Sequence, residues 1–194
     1  MDNDTLMMRI LFSLSLLTVL TAASAPAPAQ AQQRQAARAA TSSGGGENGT
    51  ALEIGKAGAW GVFTSGEGRA KNCFIMAQPA ERLPKGLTRD PAHVFIAMRQ
   101  GEANKMEFSM LTGYPLKTGT DAQLSVGNAT FAGVGQNKTV WLKNPAEENR
   151  FIGELRKASN LSVKGTSQRG NETIDRYPLT GFGQALELAQ KKCS

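Results

Sequence analysis

Few residues of this chain have the types and spacing that acid–base or nucleophilic chemistry needs. His93 is the one histidine of the sequence. A serine nucleophile that used it as a base would be expected in a Gly-x-Ser-x-Gly turn, and no serine of the chain lies in such a turn. One histidine also excludes a zinc site built from several histidines. We therefore predict neither a serine hydrolase nor a metal enzyme, and we interpret His93 as an ordinary polar residue at the end of a strand.

Carboxylates are the remaining candidates for catalysis. Most glycoside hydrolases place two of them on either side of the scissile bond. Glu102, Glu107, Asp121 and Asp175 are available, but the sequence brings no two of them to that separation, and isolated surface charges are the ordinary expectation for such residues. A periplasmic hydrolase that acts on envelope sugars or peptides through a carboxylate pair is the alternative hypothesis. We prefer a non-catalytic protein with no cofactor.

The chain contains two cysteines, Cys73 and Cys193. Cys73 begins an apolar segment with the character of a central strand, and Cys193 lies on the inward face of a C-terminal helix. Cysteines in exported proteins usually pair, so we predict a disulfide between these two. Two free buried thiols are the plain alternative, and a redox pair is disfavoured because reactive cysteines usually have Cys-x-x-Cys spacing.

The N-terminal region has the pattern of an export signal. An apolar run over Ile10–Leu20 follows Arg9 and precedes small residues, as in a secretory signal peptide. A membrane-spanning helix needs about 20 apolar residues, roughly twice the length of this run. We predict a signal peptide over 1–29, a disordered linker over 30–50 and one domain over 51–194. The mature protein is expected in the periplasm, in association with the outer envelope or secreted, without a transmembrane segment.

The chain is mildly basic, with a formal net charge of +6. Lys and Arg are scattered among Asp and Glu, whereas nucleic-acid-binding proteins gather them in clusters or runs. We therefore expect no nucleic-acid partner. An envelope protein, a glycan and a lipid all remain open as partners.

Short segments with strand character, most of them bounded by Gly, Pro, Asn or Asp, dominate the domain. Alternation is clear where Met106, Phe108 and Met110 are separated by polar residues. The segments are Trp60–Thr64, Cys73–Gln78, His93–Arg99, Met106–Leu111, Gln123–Val126, Thr139–Leu142, Leu161–Lys164 and Thr173–Tyr177. Strands at short spacing favour a mainly β domain. We predict an antiparallel β-sandwich or distorted barrel.

Two helices interrupt the strands. The first is signalled by Asn144 as a cap and Pro145 at the first helical position, followed by an apolar stripe. We expect it to end at Asn160. The second starts near Thr180, carries its own apolar stripe and is expected to be tethered to the sheet by the disulfide of Cys193. The stripes consist of Phe151, Ile152 and Leu155 in the first helix, and of Phe182, Ala185, Leu186, Ala189 and Cys193 in the second.

Several short motifs follow one another along the domain. They are Ile54-Gly55-Lys56, Trp60-Gly61-Val62-Phe63, Cys73, Gln78-Pro79, Leu83-Pro84-Lys85-Gly86-Leu87, Arg89-Asp90-Pro91, Gly113-Tyr114-Pro115-Leu116-Lys117, Lys164-Gly165-Thr166-Ser167, Arg169-Gly170 and Tyr177-Pro178-Leu179. In this order and spacing the chain resembles the invasion-associated locus B family of proteobacterial envelope proteins. The resemblance implies an envelope protein without known catalysis, and the family name adds possible involvement in host-cell invasion.

Two segments concentrate basic residues on turns, where binding residues are often found. One runs from Arg82 to Asp90 and contains Lys85 and Arg89. The other is the hairpin around Lys164 to Arg169. We predict these five basic residues as the candidate recognition loops: Arg82, Lys85, Arg89, Lys164 and Arg169.

Overall fold

The structure is a computed structural model, and it describes residues 51–66, 71–98 and 105–193, apart from the side chain of Cys193. These residues belong to one compact unit. The predicted signal peptide 1–29 and linker 30–50 lie outside the described residues and stay predictions. No helix among the described residues has the length and apolar character that a membrane span requires.

Eleven strands form the larger part of the regular secondary structure in the described chain. They are β1 (Leu52–Ala57), β2 (Trp60–Ser65), β3 (Asn72–Ala77), β4 (Glu81–Leu83), β5 (His93–Met98), β6 (Met106–Leu111), β7 (Ala122–Val126), β8 (Ala129–Gln136), β9 (Thr139–Leu142), β10 (Asn160–Thr166) and β11 (Glu172–Pro178). They form one sheet in the order β1-β2-β3-β5-β6-β9-β8-β7-β10-β11-β4, and every neighbouring pair is antiparallel. The prediction of a mainly β, antiparallel domain with two helices is confirmed.

Three strands have no counterpart in the sequence prediction: β1, β4 and β8. In β8, Gly133 occupies a position where a side chain would collide with residues of the neighbouring strands β7 and β9. A Cβ atom added at Gly133 would lie 2.7 Å from Val140 Cγ1 and 2.9 Å from Leu124 Cδ1. Glycine is poor in strands unless the backbone must approach its neighbours closely, and this is such a position.

The first helix begins as its sequence signals predict. Asn144 Oδ1 accepts a hydrogen bond of 3.1 Å from the backbone N–H of Ala146, and Pro145–Glu147 forms a 3-10 turn. Helix α1 then runs over Glu148–Leu155 and buries its predicted apolar stripe completely. It ends at Leu155, so the predicted end at Asn160 is wrong, because that residue already begins β10.

The second helix, α2, covers Phe182–Cys193 and packs against β1, β2 and β3. Phe182 meets the buried Trp60 edge-on, with ring centroids 5.0 Å apart. Helix α1 makes the equivalent contact through Phe151, which lies edge-on to Phe108 and Phe131 at 4.9 Å each. All five of these aromatic residues belong to the buried core, so both helices pack on the inward face of the sheet.

Candidate functional site

Strand β4 positions the first of the two loops predicted from the sequence. It pairs with β11 and sets Arg82 opposite Asp175. Strand β11 is also the second strand of the β10–β11 hairpin, in which Thr166 pairs with Glu172 next to the turn. The segment after β4 and the hairpin turn therefore lie at the same end of neighbouring strands. The fold brings together two loops that are far apart in sequence.

Asp175 is the centre of a buried ion cluster. Its side chain is 1% exposed, and its Oδ1 lies 3.3 Å from Arg82 Nε and 3.1 Å from Arg89 Nη1. The Arg89 side chain is 6% exposed and that of Arg82 is 22% exposed. The expectation of an isolated surface charge at Asp175 is therefore wrong. The residue points inward with its neighbours on β11, and a buried carboxylate requires such cationic partners.

The two arginines also hold the backbone of the loop after β4. Arg82 donates from Nη1 to the carbonyl of Asp90 and from Nη2 to that of Thr112, both at 2.8 Å. Arg89 donates to the carbonyls of Leu83 and Pro84 at 3.4 and 3.3 Å. Because a guanidinium group presents its donors in one rigid plane, these bonds fix the path of the loop.

Hydroxyl groups continue the cluster along β11. Thr173 donates to the carbonyl of Gly165 at 3.2 Å and accepts a hydrogen bond from the Tyr114 hydroxyl. The space above Gly165 is filled by that hydroxyl, which would lie 3.2 Å from an added Cβ atom. Gly113-Tyr114-Pro115 stands out in the sequence as a motif, but this role of Tyr114 depends on contacts with β10 and β11 that the sequence does not show.

Burial dominates the titration of the cluster. It raises the pKa of Asp175 above its ordinary value, and the Arg82 and Arg89 guanidinium groups oppose that rise only in part. Burial likewise raises the pKa of Tyr114 and of Tyr177. The Tyr177 hydroxyl has no hydrogen-bond partner within the part of the chain that the structure describes.

The remaining predicted recognition residues face the solvent. Lys85 and Arg169 are exposed on the two loops, and Lys164 pairs with Glu172 at 2.9 Å. The exposed Lys117 lies close by in the fold, since its backbone N–H donates to the carbonyl of Thr166 at 2.9 Å. We name the exposed group Lys85, Lys117 and Arg169 the basic loop surface.

The outward face of the sheet differs between its two halves. On β10, β11 and β4, it carries the ion pairs Lys164–Glu172 and Arg176–Glu81. On β2, β3, β5, β6, β9 and β8, most of the large side chains that alternate with core residues are apolar. We call them the apolar outer face: Phe63, Phe74, Met76, Phe95, Leu111, Val134 and Trp141.

Aromatic rings line part of this face. Phe63 stacks on Phe74 with centroids 5.4 Å apart, and Phe74 lies 6.0 Å from Phe95. The ring of His93 follows at 6.0 Å from Phe95, and its Nε2 lies 3.0 Å from Gln78 Nε2. Partial burial lowers the pKa of His93, and the positive charge of Arg82 acts in the same direction.

Comparison with known proteins agrees with the resemblance seen in the sequence. The family model described as "Invasion associated locus B (IalB) protein" matches residues 60–190. The chain belongs to this family. Among solved structures, the crystal structure of invasion associated protein B from Bartonella henselae is similar, with a TM-score of 0.52 and 17% sequence identity. The match covers 73% of this chain and 99% of that one, and it supports the shared fold. No curated protein matches the sequence.

The structure describes three of the four acidic residues that the sequence offers as candidates for a catalytic pair. Asp121 pairs with Lys143 at 2.6 Å, Asp175 is enclosed by two arginines, and Glu107 lies on the outward side of β6. Glu102 lies outside the described residues. Within residues 51–66, 71–98 and 105–193, no group of three or more His, Cys, Asp and Glu side chains could hold a metal ion.

Cys73 occupies a central strand of this family member, as the sequence predicts. It lies in β3, which pairs with β2 on one side and β5 on the other, and it is 2% exposed. No free cysteine occurs among the described residues. The pairing of Cys73 with Cys193 stays a prediction, because the side chain of Cys193 is not described.

Proposed function

We propose that this protein is an exported, non-catalytic binding module of the bacterial envelope, and that the basic loop surface contacts its partner. The observation that carries the proposal is the Asp175 cluster. It fixes the loop after β4 beside the β10–β11 hairpin and leaves Lys85 and Arg169 exposed on the two loops. Binding sites are commonly loops of this kind, held by a rigid scaffold.

The five predicted recognition residues take two different roles in this proposal. Arg82 and Arg89 position the loop, because their donors are engaged with Asp175 and backbone carbonyls. Lys85 and Arg169 supply the contacts together with Lys117, and Lys164 beside them pairs with Glu172. A set of exposed cations with few acidic neighbours suits an anionic partner, such as an acidic envelope protein, an anionic glycan or a lipid headgroup.

Membership of the invasion associated locus B family supports an envelope location, and the signal-like residues 1–29 support export. The similar protein from Bartonella henselae is named an invasion associated protein, and involvement in host-cell invasion is the finer form of this proposal. A hydrolase acting through a carboxylate pair is the weaker alternative, because Asp121 and Asp175 are engaged by cations. Osmotic-shock fractionation of the native host tests the periplasmic location.

The proposed architecture adds the Cys73–Cys193 disulfide to a β-sandwich or distorted barrel. Helix α2 supports this pairing, since it packs on β3, the strand that carries Cys73. Alkylation of the mature protein before and after reduction tests the bond. With the protein unfolded in denaturant, so that buried thiols are accessible, two thiols that alkylate only after reduction are expected, and two that alkylate without reduction would contradict the bond.

A capture experiment tests the binding surface. The mature domain is immobilised and incubated with envelope extract, and the retained material is compared with that of a Lys85→Glu/Arg169→Glu variant. The wild-type domain is expected to retain a defined component that the variant loses, with weaker retention at high salt.

The matched control is a Lys56→Glu/Lys191→Glu variant. It makes the same change of charge at two exposed lysines that lie outside both loops. Retention by the control should equal that of the wild type. Equal loss in both variants would show that only net charge matters, and equal retention in all three would remove the basic loop surface from the proposal.

A further inference from the structure

Backbone hydrogen bonds join three loops at the end of the sheet that carries the basic loop surface. The loop between β4 and β5 is joined to the loop between β6 and β7, because the N–H of Asp90 donates to the carbonyl of Gly113 at 3.0 Å. The second of these loops is joined to the β10–β11 turn by the N–H of Gln168, which donates to the carbonyl of Pro115 at 2.9 Å, and by the bond of Lys117 described above. The three loops therefore form one continuous surface.

Each cation of the basic loop surface lies beside a glycine of its loop. Gly86 and Gly170 directly follow the cations of their loops, and Gly119 follows its cation by two residues. The φ angles of these glycines are positive, at 86°, 85° and 76°, as tight turns require. A Cβ atom added at any of the three would meet no other atom of the described chain within 4 Å. The cations therefore lie on open turns, where a partner can approach them from outside the domain.

The three loops carry a surplus of positive charge. Their acidic side chains are engaged, since Asp90 lies 2.7 Å from Lys138 of the adjacent β8–β9 turn and Asp121 lies 2.6 Å from Lys143. The guanidinium group of Arg89 is engaged by the buried carboxylate of the cluster. The three members of the basic loop surface form no ion pair with another described residue. Their three charges are therefore available to an external anion.

Exposed prolines accompany two of these cations. Pro84 directly precedes Lys85, and Pro115 lies two residues before Lys117. Proline has no backbone N–H, so these positions bring no donor that would lose its hydrogen bond to water near the hydrocarbon region of a bilayer. A cation beside an apolar ring suits the boundary between lipid phosphates and acyl chains.

We infer that the basic loop surface docks this protein on an anionic lipid bilayer, where the phosphates of the lipid headgroups are its ligands. The inference rests on the function proposed above and names its partner. A small anion is usually held in an enclosing pocket, whereas these cations lie on open turns. An acidic protein would need carboxylates in matching positions and an interface of about 800 Å² on each side. Lipid headgroups move laterally, so they can meet three separate cations without such a match.

Vesicle co-sedimentation tests the inference. The protein without residues 1–29 is mixed with vesicles of equal parts phosphatidylglycerol and phosphatidylcholine, and with vesicles of phosphatidylcholine alone. Saturable binding to the anionic vesicles is expected at low salt, with none to the neutral ones. Binding should be lost in 1 M sodium chloride, where the screening length falls to about 3 Å.

A triple substitution removes the three charges and keeps polar side chains. Each Lys or Arg near an anionic bilayer strengthens binding about fivefold. The variant Lys85→Gln/Lys117→Gln/Arg169→Gln should therefore bind the anionic vesicles about 100-fold more weakly than the wild type. Circular dichroism confirms that the variant is folded.

The matched control is Lys157→Gln/Lys191→Gln/Lys192→Gln, which lowers the net charge equally. These exposed lysines lie at the opposite end of the sheet, since Lys157 precedes β10 and the carbonyl of Lys192 accepts a hydrogen bond from Lys71, which precedes β3. Strands of six or seven residues separate the two ends by about 20 Å, and charges that far apart are screened at physiological salt. The control should bind the anionic vesicles as the wild type does.

Several outcomes would overturn the inference: no saturable binding to anionic vesicles, equal binding to neutral ones, and equal loss in the two triple variants. Displacement by millimolar glycerol phosphate would assign the surface to a soluble phosphate compound instead. If anionic vesicles are not bound but a membrane-free envelope extract yields a component that Lys85→Glu/Arg169→Glu loses, the partner is a protein or a glycan. The proposed function then stands and the lipid inference fails, whereas absence of both kinds of binding removes both.

Discussion

Replacing Asp175 with Asn should destabilise the domain far more than an ordinary loss of one charge. The substitution keeps the shape of the side chain but leaves the guanidinium groups of Arg82 and Arg89 without their counter-charge. Arg89 and Asp175 are 6% and 1% exposed, so solvent cannot replace the lost interaction. Breaking a buried ion pair from one side typically costs about 3–5 kcal/mol.

We expect the lower end of that range, about 3 kcal/mol, for two reasons. The substitution also removes the cost of burying the Asp175 charge, which is what raises the pKa of this residue, and Arg82 keeps 22% of its side chain in contact with solvent. Urea unfolding at neutral pH, followed by circular dichroism, measures the change. With an m-value of about 2 kcal/mol/M, the midpoint should fall by about 1.5 M while the slope stays the same.

Asp121→Asn is the matched control, since it makes the same chemical change in an exposed pair. Asp121 and Lys143 are 50% and 55% exposed, and such surface pairs contribute about 0–1 kcal/mol. If Asp175→Asn lowers the unfolding free energy no more than Asp121→Asn does, the Asp175 cluster does not hold the loop after β4, and the support for the basic loop surface fails.

Further predictions concern the interior and the titrating residues. The pKa of His93 is lower in the folded chain than its ordinary value of 6.5. Acidification below pH 6.5 should therefore reduce the unfolding free energy of the wild type, because the unfolded chain binds the proton more readily. Denaturant titrations at several pH values should show that the unfolding free energy of His93→Gln depends less on pH. Cys193→Ser should lower the unfolding free energy by about 4 kcal/mol if it breaks the bond to Cys73, and the same reducing agent that destabilises the wild type should leave the variant unaffected. Gly133→Ala should cost about 1–3 kcal/mol, since the nearest side-chain carbons lie 2.7 and 2.9 Å from the new Cβ. A Cβ atom added at Gly153 in helix α1 meets nothing within 4 Å, so Gly153→Ala should stabilise the domain by about 0.5–1 kcal/mol. Thermal melts in which Gly133→Ala is the more stable of the two variants would contradict the packing described for β8.

The elements that the sequence predicts well are those with strong local signals. The cap at Asn144, the proline that follows it and the buried stripe of α1 are all determined within one short segment. The strand at Cys73 is predictable because its apolar residues require burial from both sides. Strand β8 is not predictable in this way, because a glycine such as Gly133 usually indicates a turn. Glycine is required at this position by the close side chains of β7 and β9, which the local sequence does not show.

The candidate site shows the same division. Lys85 and Arg169 are recognised from local charge and turn residues, and their exposure follows from those properties. In the sequence, nothing distinguishes Asp175 from the other acidic residues. Its burial depends on Arg82 and Arg89, which precede it by more than eighty residues and reach it only through the β4–β11 pairing. Non-local pairing of this kind leaves no signal in a single sequence.

The packing of α2 on the first strands has a consequence for the ends of the domain. Lys71 Nζ donates to the carbonyl of Lys192 at 3.2 Å. Asn72 of β3 pairs with Ser65 of β2, which is next to the residue that pairs with Leu52 at the start of β1. The first and last described elements therefore meet at one end of the sheet. A short peptide that joins them, with the chain reopened in a distant turn such as the one at Gly127, would give a circularly permuted domain with the same strand order.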